Sequence, residues 1–275
     1  MTTGREPSGF ALHVGVNECD AKAYGGWTGP LAGCENDADE MLAISRSLGY
    51  EASQLKTRAA TRDGVIAAVR DIAGRVAAGD TFLLSYAGHG GQVRDDNRDE
   101  ADGSDETWCL YDGHLLDDEL FDLWHAFPAG ARVVVISDCC HSGTVTRSTE
   151  LAQRLGDGIV PRCMPPEELV PAWRAQAELY ADVQRRLPRE RADPQARVRL
   201  ISGCQDDQLS GEAWGNGLFT MALKRAWDGG AFGGDWAAFH LAIRDQLPED
   251  QQPNHLVFGG DDPAFDAGPP FRFAP

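Results

Sequence analysis

Two stretches of the chain combine an apolar, β-prone run with a break into glycine and small polar residues. The first is Thr81–Gln92, which ends in Tyr-Ala-Gly-His-Gly-Gly-Gln, and the second is Arg132–Gly143, which ends in Ser-Asp-Cys-Cys-His-Ser-Gly. Each places one reactive side chain, His89 or Cys140, at the end of a buried strand. Because the carboxyl ends of neighbouring parallel strands open into a common crevice, these side chains are expected to meet in a ligand site. An imidazole beside a thiol can activate it as a nucleophile, so the pattern predicts a cysteine-protease site.

The rest of the chain alternates strand-like and helix-like segments. Strands are predicted at Phe10–Val16, Ser53–Lys56, Thr81–Tyr86, Ala131–Ser137, Arg199–Ser202 and Asn254–Phe258. Helices are predicted from Gly33 to about Leu48, from an N-cap at Thr61 to about Ala78, from Asp117, and near Gly217–Trp227 and Asp235–Gln246. This alternation predicts an α/β fold in which helices cover both faces of a mostly parallel sheet of about six strands. We interpret residues 1–275 as a single domain.

Composition limits the partners and the compartment. The net charge of −18, from 25 basic and 43 acidic residues, argues against nucleic acid or an anionic membrane as a partner. It favours cationic substrates or divalent cations, although a merely solvated acidic surface explains most of the carboxylates equally well. The seven cysteines are scattered, the first residues lack a signal-peptide core, and no apolar run approaches membrane-spanning length. A cytoplasmic protein with reduced thiols is therefore expected.

Two segments interrupt the alternation. Asp95–Glu106 has seven acidic residues in twelve, which predicts a solvated or metal-binding loop. Thr144–Arg197 contains nine arginines, no lysine and several prolines, with one helical pattern around Pro171–Leu187. A long, poorly patterned insertion directly after the cysteine strand predicts an exposed connector.

Taken together, the motifs resemble those of metacaspases, the caspase-related peptidases of bacteria, plants, fungi and protists. The matching segments follow the family order: Ala11–Asn17, Leu31–Ala38, Tyr86–Gln92, Asp102–Glu106, Leu116–Leu120, Asp138–Thr144 and Ile201–Gln208. His89 and Cys140 are 51 residues apart, close to the roughly 50 of caspases. The resemblance implies a caspase-like α/β/α sandwich, in which a large-subunit-like part (1–143) is joined by the connector (144–197) to a small-subunit-like part (198–275).

The resemblance also implies roles for individual residues. Cys140, directly before His-Ser-Gly, corresponds to the nucleophile and His89 to its base, while the backbone N–H groups of Cys140 and Gly90 correspond to the oxyanion donors. Asp37 and Asp138 correspond to carboxylates of a pocket for arginine, and also lysine, at the residue before the cleaved bond. From the sequence alone, Asp37 could instead be a charge partner of a helix N-terminus, and Asp138 a residue that orients a loop.

Calcium is a further possibility, although the chemistry itself requires no cofactor. The family's calcium ligands correspond to Asp105, Asp117 and Asp118, but a fourth position, normally acidic, is Arg147 here and would repel the ion. Ala87 is a second departure, because the family often has serine there.

Activation and biological role follow from the resemblance only. Many metacaspases are zymogens that are cut after basic residues in the connector, so we expect self-processing or an upstream activating protease, protein substrates with exposed Arg or Lys, and a role in stress, regulated cell death or defence. The alternatives are a non-catalytic caspase-like scaffold, a calcium-binding interaction module, or a separase- or gingipain-like peptidase. A metal site formed by Cys139, Cys140 and His141 is disfavoured because adjacent residues of a strand point to opposite faces.

Overall fold

The computed structural model describes residues 5–94, 104–140, 158–188, 192–205, 208 and 210–273. The strands are β1 (Gly9–Gly15), β2 (Glu51–Lys56), β3 (Thr81–Ala87), β4 (Gly90–Arg94), β5 (Ser104–Leu110), β6 (Gly113–Leu116), β7 (Arg132–Asp138), β8 (Val160–Pro161), β9 (Arg197–Ser202), β10 (Gly211–Ala213), β11 (Asn216–Gly217) and β12 (Asn254–Gly259). The α-helices are α1 (Cys34–Ser47), α2 (Arg62–Ala73), α3 (Asp117–Trp124), α4 (Pro166–Ala175), α5 (Ala177–Arg186), α6 (Leu218–Trp227), α7 (Trp236–Arg244) and α8 (Pro263–Asp266).

A six-stranded sheet in the order β12-β9-β7-β3-β1-β2 forms the centre of the molecule. Neighbouring strands are parallel except β12, which is antiparallel to β9. Two three-stranded sheets, β4-β5-β6 and β11-β10-β8, lie beside it. The predicted α/β class and the mostly parallel six-stranded sheet are confirmed.

Both faces of the central sheet are covered, as expected for strands that are apolar throughout. Along β3, Phe82 and Leu84 belong to one core cluster, with Val65 and Val69 of α2. Leu83, between them, belongs to a second core cluster formed with α1, α6 and α7. Because successive side chains of a strand point to opposite faces, the two clusters are the two halves of an α/β/α sandwich.

Local helix signals act as the sequence indicates. The Thr61 hydroxyl accepts a hydrogen bond from the backbone N–H of Gly64 at 3.2 Å and caps α2. The predicted helix over Pro171–Leu187 is in fact two helices, because the chain bends between them at Gln176 (φ −137°). The side-chain amide of Gln176 donates to the carbonyl of Asp112 at 2.7 Å, which holds the bend against the turn between β5 and β6.

Two predictions of exposure were wrong. Asp105, placed by sequence in a solvated or metal-binding loop, is instead fully buried in the strand β5, while Asp95–Gly103 lie outside the described residues. The connector was expected to be exposed, yet Arg162, Ala172 and Tyr180 are 0% exposed. Apolar residues of α4 and α5 pack into the cores, and Arg162 has buried charge partners. The high content of charged residues in the acidic segment and in the connector therefore did not predict that these residues are exposed to solvent.

None of the helices in the described ranges is long and apolar enough to cross a bilayer. All seven cysteines lie in the described ranges, and all are buried free thiols.

Buried histidines make the stability of the fold depend on pH. His13 of β1 is 0% exposed and its ring nitrogens contact the hydroxyls of Ser85 and Ser45 at 2.8 and 2.9 Å. Burial, with a smaller contribution from the charge of Arg46, lowers the pKa of His13 to about 3. On acidification the unfolded chain therefore binds this proton first. The resulting stabilisation of the folded state is complete above pH 6.5 and is lost as the pH falls towards 3.

We expect His13→Gln, which keeps polar contacts without titrating, to reduce this acid sensitivity. Between pH 6 and 4 the slope of unfolding free energy against pH should fall by up to about 1.4 kcal/mol per pH unit. Urea denaturation of both chains at several pH values measures the slope. Identical slopes would show that His13 is protonated in the folded protein.

Candidate active site

The crevice lies at the carboxyl ends of β3 and β7, which are neighbours in the sheet and pair Ala87 with Asp138. His89 follows β3, and Cys139 and Cys140 follow β7. Cys139 packs into the main core with its sulfur 3.2 Å from the Ser137 hydroxyl. Cys140 points elsewhere and forms a cluster of thiols with Cys163 and Cys204. The two cysteines therefore have different surroundings, and Cys140 is the one that lies beside Cys163.

His89 is held as a neutral base. It is 6% exposed, and its ring lies 4.9 Å from that of Trp27 between centroids. Nε2 is 3.0 Å from the carbonyl of Gly29, and because a carbonyl only accepts, Nε2 carries the hydrogen. Nδ1 is then the basic nitrogen. Burial lowers the pKa of His89 to about 4, although the carbonyl of Gly29 acts in the opposite direction.

Cys140 is protonated in this arrangement. Its side chain is 0% exposed, and its sulfur donates to the carbonyl of Ser210 at 3.4 Å. Burial raises the pKa of Cys140 well above its ordinary value, partly offset by a hydrogen bond with the Cys163 thiol. The thiol that the sequence predicts to be the nucleophile is therefore not a thiolate here.

A peptide carbonyl of the chain itself lies between the two predicted oxyanion donors. The carbonyl oxygen of Arg162 accepts from the backbone N–H of Gly90 at 3.0 Å and from that of Cys140 at 3.2 Å. These are the N–H groups that the sequence assigned to the oxyanion. They converge on one oxygen, that of the Arg162–Cys163 peptide bond.

The side chain of Arg162 occupies a pocket lined by three carboxylates. Nη2 lies 2.5 Å from Asp37 Oδ2 and 3.2 Å from Glu212 Oε2, and Nη1 lies 3.0 Å from Asp138 Oδ2. All four side chains are buried. The structure thus brings together Asp37 and Asp138 and adds Glu212. We call Asp37, Asp138 and Glu212 the carboxylate pocket.

The carboxylates are oriented by neighbouring donors. Asp37 accepts from the backbone N–H of Gly217 at 3.0 Å and from the Asn216 amide at 2.9 Å. Asp138 accepts from the hydroxyls of Ser210 at 2.6 Å and Thr220 at 2.8 Å. Burial raises the pKa of Asp37, and the charge of Arg162 counteracts this shift. Asp37 lies in the first turn of α1, yet its carboxylate faces the pocket, so the helix-terminus interpretation does not describe its contacts.

Glu212 was not identified from the sequence. It accepts from the backbone N–H groups of Ala32 and Gly33 at 2.7 and 3.1 Å, which ties the loop before α1 to β10. A single acidic residue in the short strand Gly211–Ala213 gives no pattern that would distinguish it.

Gly217 is the wall of the carboxylate pocket. A Cβ at this position would overlap both the Asp138 carboxylate and the guanidinium of Arg162. Only glycine therefore leaves room for an arginine side chain between these groups.

The segment around Arg162 has backbone pairing on both sides, and the chain bends at Arg162 itself. On one side β8 pairs antiparallel with β10, matching Pro161 to Gly211, and Arg162 N–H donates to the carbonyl of Ser210 at 2.8 Å. On the other side Cys163 forms a bridge to Gly90, and Met164 N–H donates to the carbonyl of Gly90 at 2.7 Å. Backbone pairing on both sides of one residue is how a peptide is held on a sheet edge.

The residues predicted to bind calcium lie apart from this crevice segment. Asp105 is in β5 and accepts from the Gln184 amide, while Asp117 and Asp118 begin α3. No group of three or more His, Cys, Asp or Glu side chains suited to a metal occurs within the described ranges. Arg147 and His141 lie outside those ranges. Calcium binding stays a prediction.

Comparison with known proteins finds relatives of this chain. The caspase-domain family model matches residues 8–257. Metacaspase-1 of Mycosarcoma maydis is 28% identical over 249 residues, covering 78% of this chain and 60% of that protein. Metacaspase III c of Phaeodactylum tricornutum is 35% identical over 149 residues, covering 49% and 43%. The chain spans about half the length of the curated relatives it matches.

Several solved structures are similar to this chain, and two of them illustrate the range. A crystallised protein of Geobacter sulfurreducens is 46% identical with a TM-score of 0.89, covering 97% of this chain and 99% of that one. Caspase-1 of Spodoptera frugiperda is 12% identical with a TM-score of 0.57, covering 94% and 88%, and is similar in fold alone.

We expect Arg162→Met to destabilise the full-length chain, because three buried carboxylates lose their cation. Breaking a buried ion pair typically costs about 3–5 kcal/mol. Adding Asp37→Asn to Arg162→Met should restore part of the loss, since one uncompensated charge is removed. Urea denaturation measures both variants.

The matched control is Arg185→Met, because Arg185 is 70% exposed and pairs with Asp182 at the surface. Its effect should stay within about 0.5 kcal/mol. Equal stability of Arg162→Met and Arg185→Met would contradict a charged pocket.

Proposed function

The chain belongs to the caspase-domain family of cysteine peptidases, and from this premise we propose that it is a latent endopeptidase specific for arginine and lysine. Its first substrate is its own Arg162–Cys163 bond. One observation carries the proposal: the Arg162 carbonyl lies on the two N–H groups of Gly90 and Cys140, while its guanidinium lies among three carboxylates. That is the arrangement expected of a bound substrate.

The charge of the pocket supports the proposed specificity. Buried carboxylates are costly unless a cation neutralises them, and a guanidinium with five N–H donors suits several carboxylates at once. Lysine supplies one cationic group with three donors, so it is a poorer second substrate. An aspartate in the same position would add a fourth carboxylate, and its repulsion excludes caspase-type substrates.

The proposed reaction uses the residues of the crevice. His89 Nδ1 accepts the Cys140 proton and the sulfur attacks the carbonyl carbon of the arginine, while the N–H groups of Gly90 and Cys140 stabilise the negative oxygen. Such a donor is typically worth about 10²–10³ in rate. The protonated His89 then delivers its proton to the departing nitrogen, and water hydrolyses the thioester formed on Cys140.

Latency follows from occupancy of the same site. As long as Arg162 fills the carboxylate pocket and β8 pairs with β10, an external chain cannot bind there. Cleavage after Arg162, by the chain itself, by a second copy or by an upstream protease, is the proposed first step of activation. Protein substrates with exposed Arg or Lys, a cytosolic location that keeps the seven thiols reduced, and a role in stress, cell death or defence complete the proposal.

We expect the wild-type chain to yield fragments 1–162 and 163–275 on incubation, and Arg162→Gln to yield neither, because glutamine cannot neutralise the pocket. Arg185→Gln removes an exposed arginine of the same connector and should be cut like wild type.

Cys140→Ala should stay uncut, whereas Cys139→Ala should be cut like wild type. Intact-mass spectrometry identifies the fragments. A dead Cys139→Ala or an active Cys140→Ala would reassign the nucleophile, and self-cutting by neither the wild type nor Cys139→Ala would favour the non-catalytic scaffold.

Gly217→Ala should lower kcat/KM for an external peptide with arginine before the cleaved bond. The measurement is made in the Arg162→Gln background, so that the chain's own arginine does not compete. Overpacking of about 1–3 kcal/mol corresponds to roughly a 5- to 150-fold loss. Gly233→Ala is the control, because a Cβ there meets no atom within 4 Å. Equal kcat/KM in the two variants, or efficient hydrolysis after aspartate, would contradict the pocket.

A further inference from the structure

The two sides of the Arg162–Cys163 bond are anchored by separate parts of the fold. Upstream, the Arg162 side chain is held by the carboxylate pocket and its N–H by the carbonyl of Ser210 at 2.8 Å. Downstream, Met164 N–H is held by the carbonyl of Gly90 at 2.7 Å, and the Met164 side chain is 1% exposed in the main core. Breaking the bond between them removes neither anchor.

The helices after Cys163 strengthen the downstream anchor. Ala172 of α4 is fully buried in the main core. Gln176 donates to the carbonyl of Asp112 at 2.7 Å, and the hydroxyl of Tyr180 accepts from the backbone N–H of His114 at 3.1 Å. The new amino terminus at Cys163 would therefore stay beside the crevice, whereas the leaving group of an ordinary substrate diffuses away.

Cys163 also carries a thiol at the reacting centre. It is 7% exposed and clusters with Cys140 and Cys204. After cleavage this residue would have a free amine and a thiol next to the thioester on Cys140, and both groups are nucleophiles that attack thioesters.

On the basis of the proposed function, we propose that the site also forms the Arg162–Cys163 peptide bond, with Cys163 as the resealing nucleophile. In the forward direction the Cys140 sulfur bonds to the Arg162 carbonyl carbon, the C–N bond breaks, and His89 gives a proton to the nitrogen. In the reverse direction the Cys163 amine attacks the thioester, directly or after its thiol has taken over the acyl group. The C–N bond forms again, the C–S bond breaks, and in the direct route the amine proton returns through His89 to the Cys140 sulfur. In the route through the thiol, the Cys163 thiol proton goes to the Cys140 sulfur as the acyl group moves, and the amine proton then goes to the Cys163 sulfur as the C–N bond forms. No oxidant or co-substrate is consumed.

Resealing competes with hydrolysis because the Cys163 amine is held next to the thioester on Cys140. A well-oriented intramolecular nucleophile has an effective concentration of about 10⁵–10⁸ M. Water must instead reach a thioester that is covered by Cys163 and Met164, both of which are buried. The intact chain is then acylated and resealed repeatedly, and a net cut requires that the Met164 segment first leaves Gly90.

Hydroxylamine is the probe, because this small amine converts a thioester into a hydroxamate with release of the thiol. The full-length wild-type chain is incubated with and without it and followed by intact-mass spectrometry. We expect a fragment 1–162 ending in a hydroxamate to form at least about tenfold faster than the fragment ending in a carboxylate forms without the probe, because hydroxylamine competes with the returning Cys163 amine far better than water does. Cys140→Ala should form neither.

Two variants test the retained amine and thiol. Met164→Ala weakens the downstream anchor and should raise the rate of hydrolytic cutting towards the hydroxylamine-trapped rate. Cys163→Ser retains the amine but loses the thiol, and should change the rate in the same direction by a smaller factor. Met221→Ala, a half-buried methionine on α6, is the matched control and should behave as wild type.

The outcomes separate the inference from the proposed function. If the Arg162→Gln chain hydrolyses an external arginine peptide but the wild type yields hydroxamate no faster than carboxylate, resealing is overturned and the peptidase stands. Unchanged cutting in both Met164→Ala and Cys163→Ser would also overturn it. If no form hydrolyses either bond, the proposed function itself fails.

Discussion

The balance of charge between three buried carboxylates and one guanidinium organises the functional half of this molecule. Asp37, Asp138 and Glu212 come from α1, β7 and β10, and each is buried. Together they would repel one another strongly without a cation between them. Arg162 supplies that cation, and its position fixes the neighbouring backbone against β10 and β4. Pocket electrostatics therefore contribute to the position of Pro161–Cys163 between β10 and β4.

The same occupancy determines the protonation of the dyad. With Arg162 and Cys163 covering the crevice, burial raises the pKa of Cys140 and lowers that of His89 to about 4, so the neutral thiol–imidazole pair is favoured. Removing the cover admits water, which lessens both shifts because the charged forms regain solvation. In the proposed function, opening the pocket therefore also favours the ionised form of the dyad that would act on external substrates. The intact chain spares other proteins because its carboxylate pocket is filled by Arg162.

Much of this could be predicted from local sequence. Apolar runs that break into glycine placed His89 and Cys140 at adjacent strand ends, and the family motifs supplied Asp37 and Asp138. The remainder depends on contacts between distant residues. Arg162 is one of nine connector arginines, and its partner Asp37 is 125 residues away. The buried carboxylate of Asp105 accepts a hydrogen bond from Gln184, which is 79 residues away. Acidic density and proline content indicate solvation on average, and they carry no information about such partners.

The tether between the pocket and its occupant determines where activation has to act. Arg162 belongs to the same chain as the pocket, so an external arginine at ordinary concentrations competes against a far higher effective concentration. Improving the fit of an external substrate is therefore a weak route to opening the crevice. Weakening the anchors of the connector is a strong one, because Met164 on Gly90 and Gln176 on Asp112 hold the segment without taking part in specificity. In the proposed function, specificity and latency thus share the carboxylate pocket, while the packing of α4 and α5 beyond it sets the threshold for release.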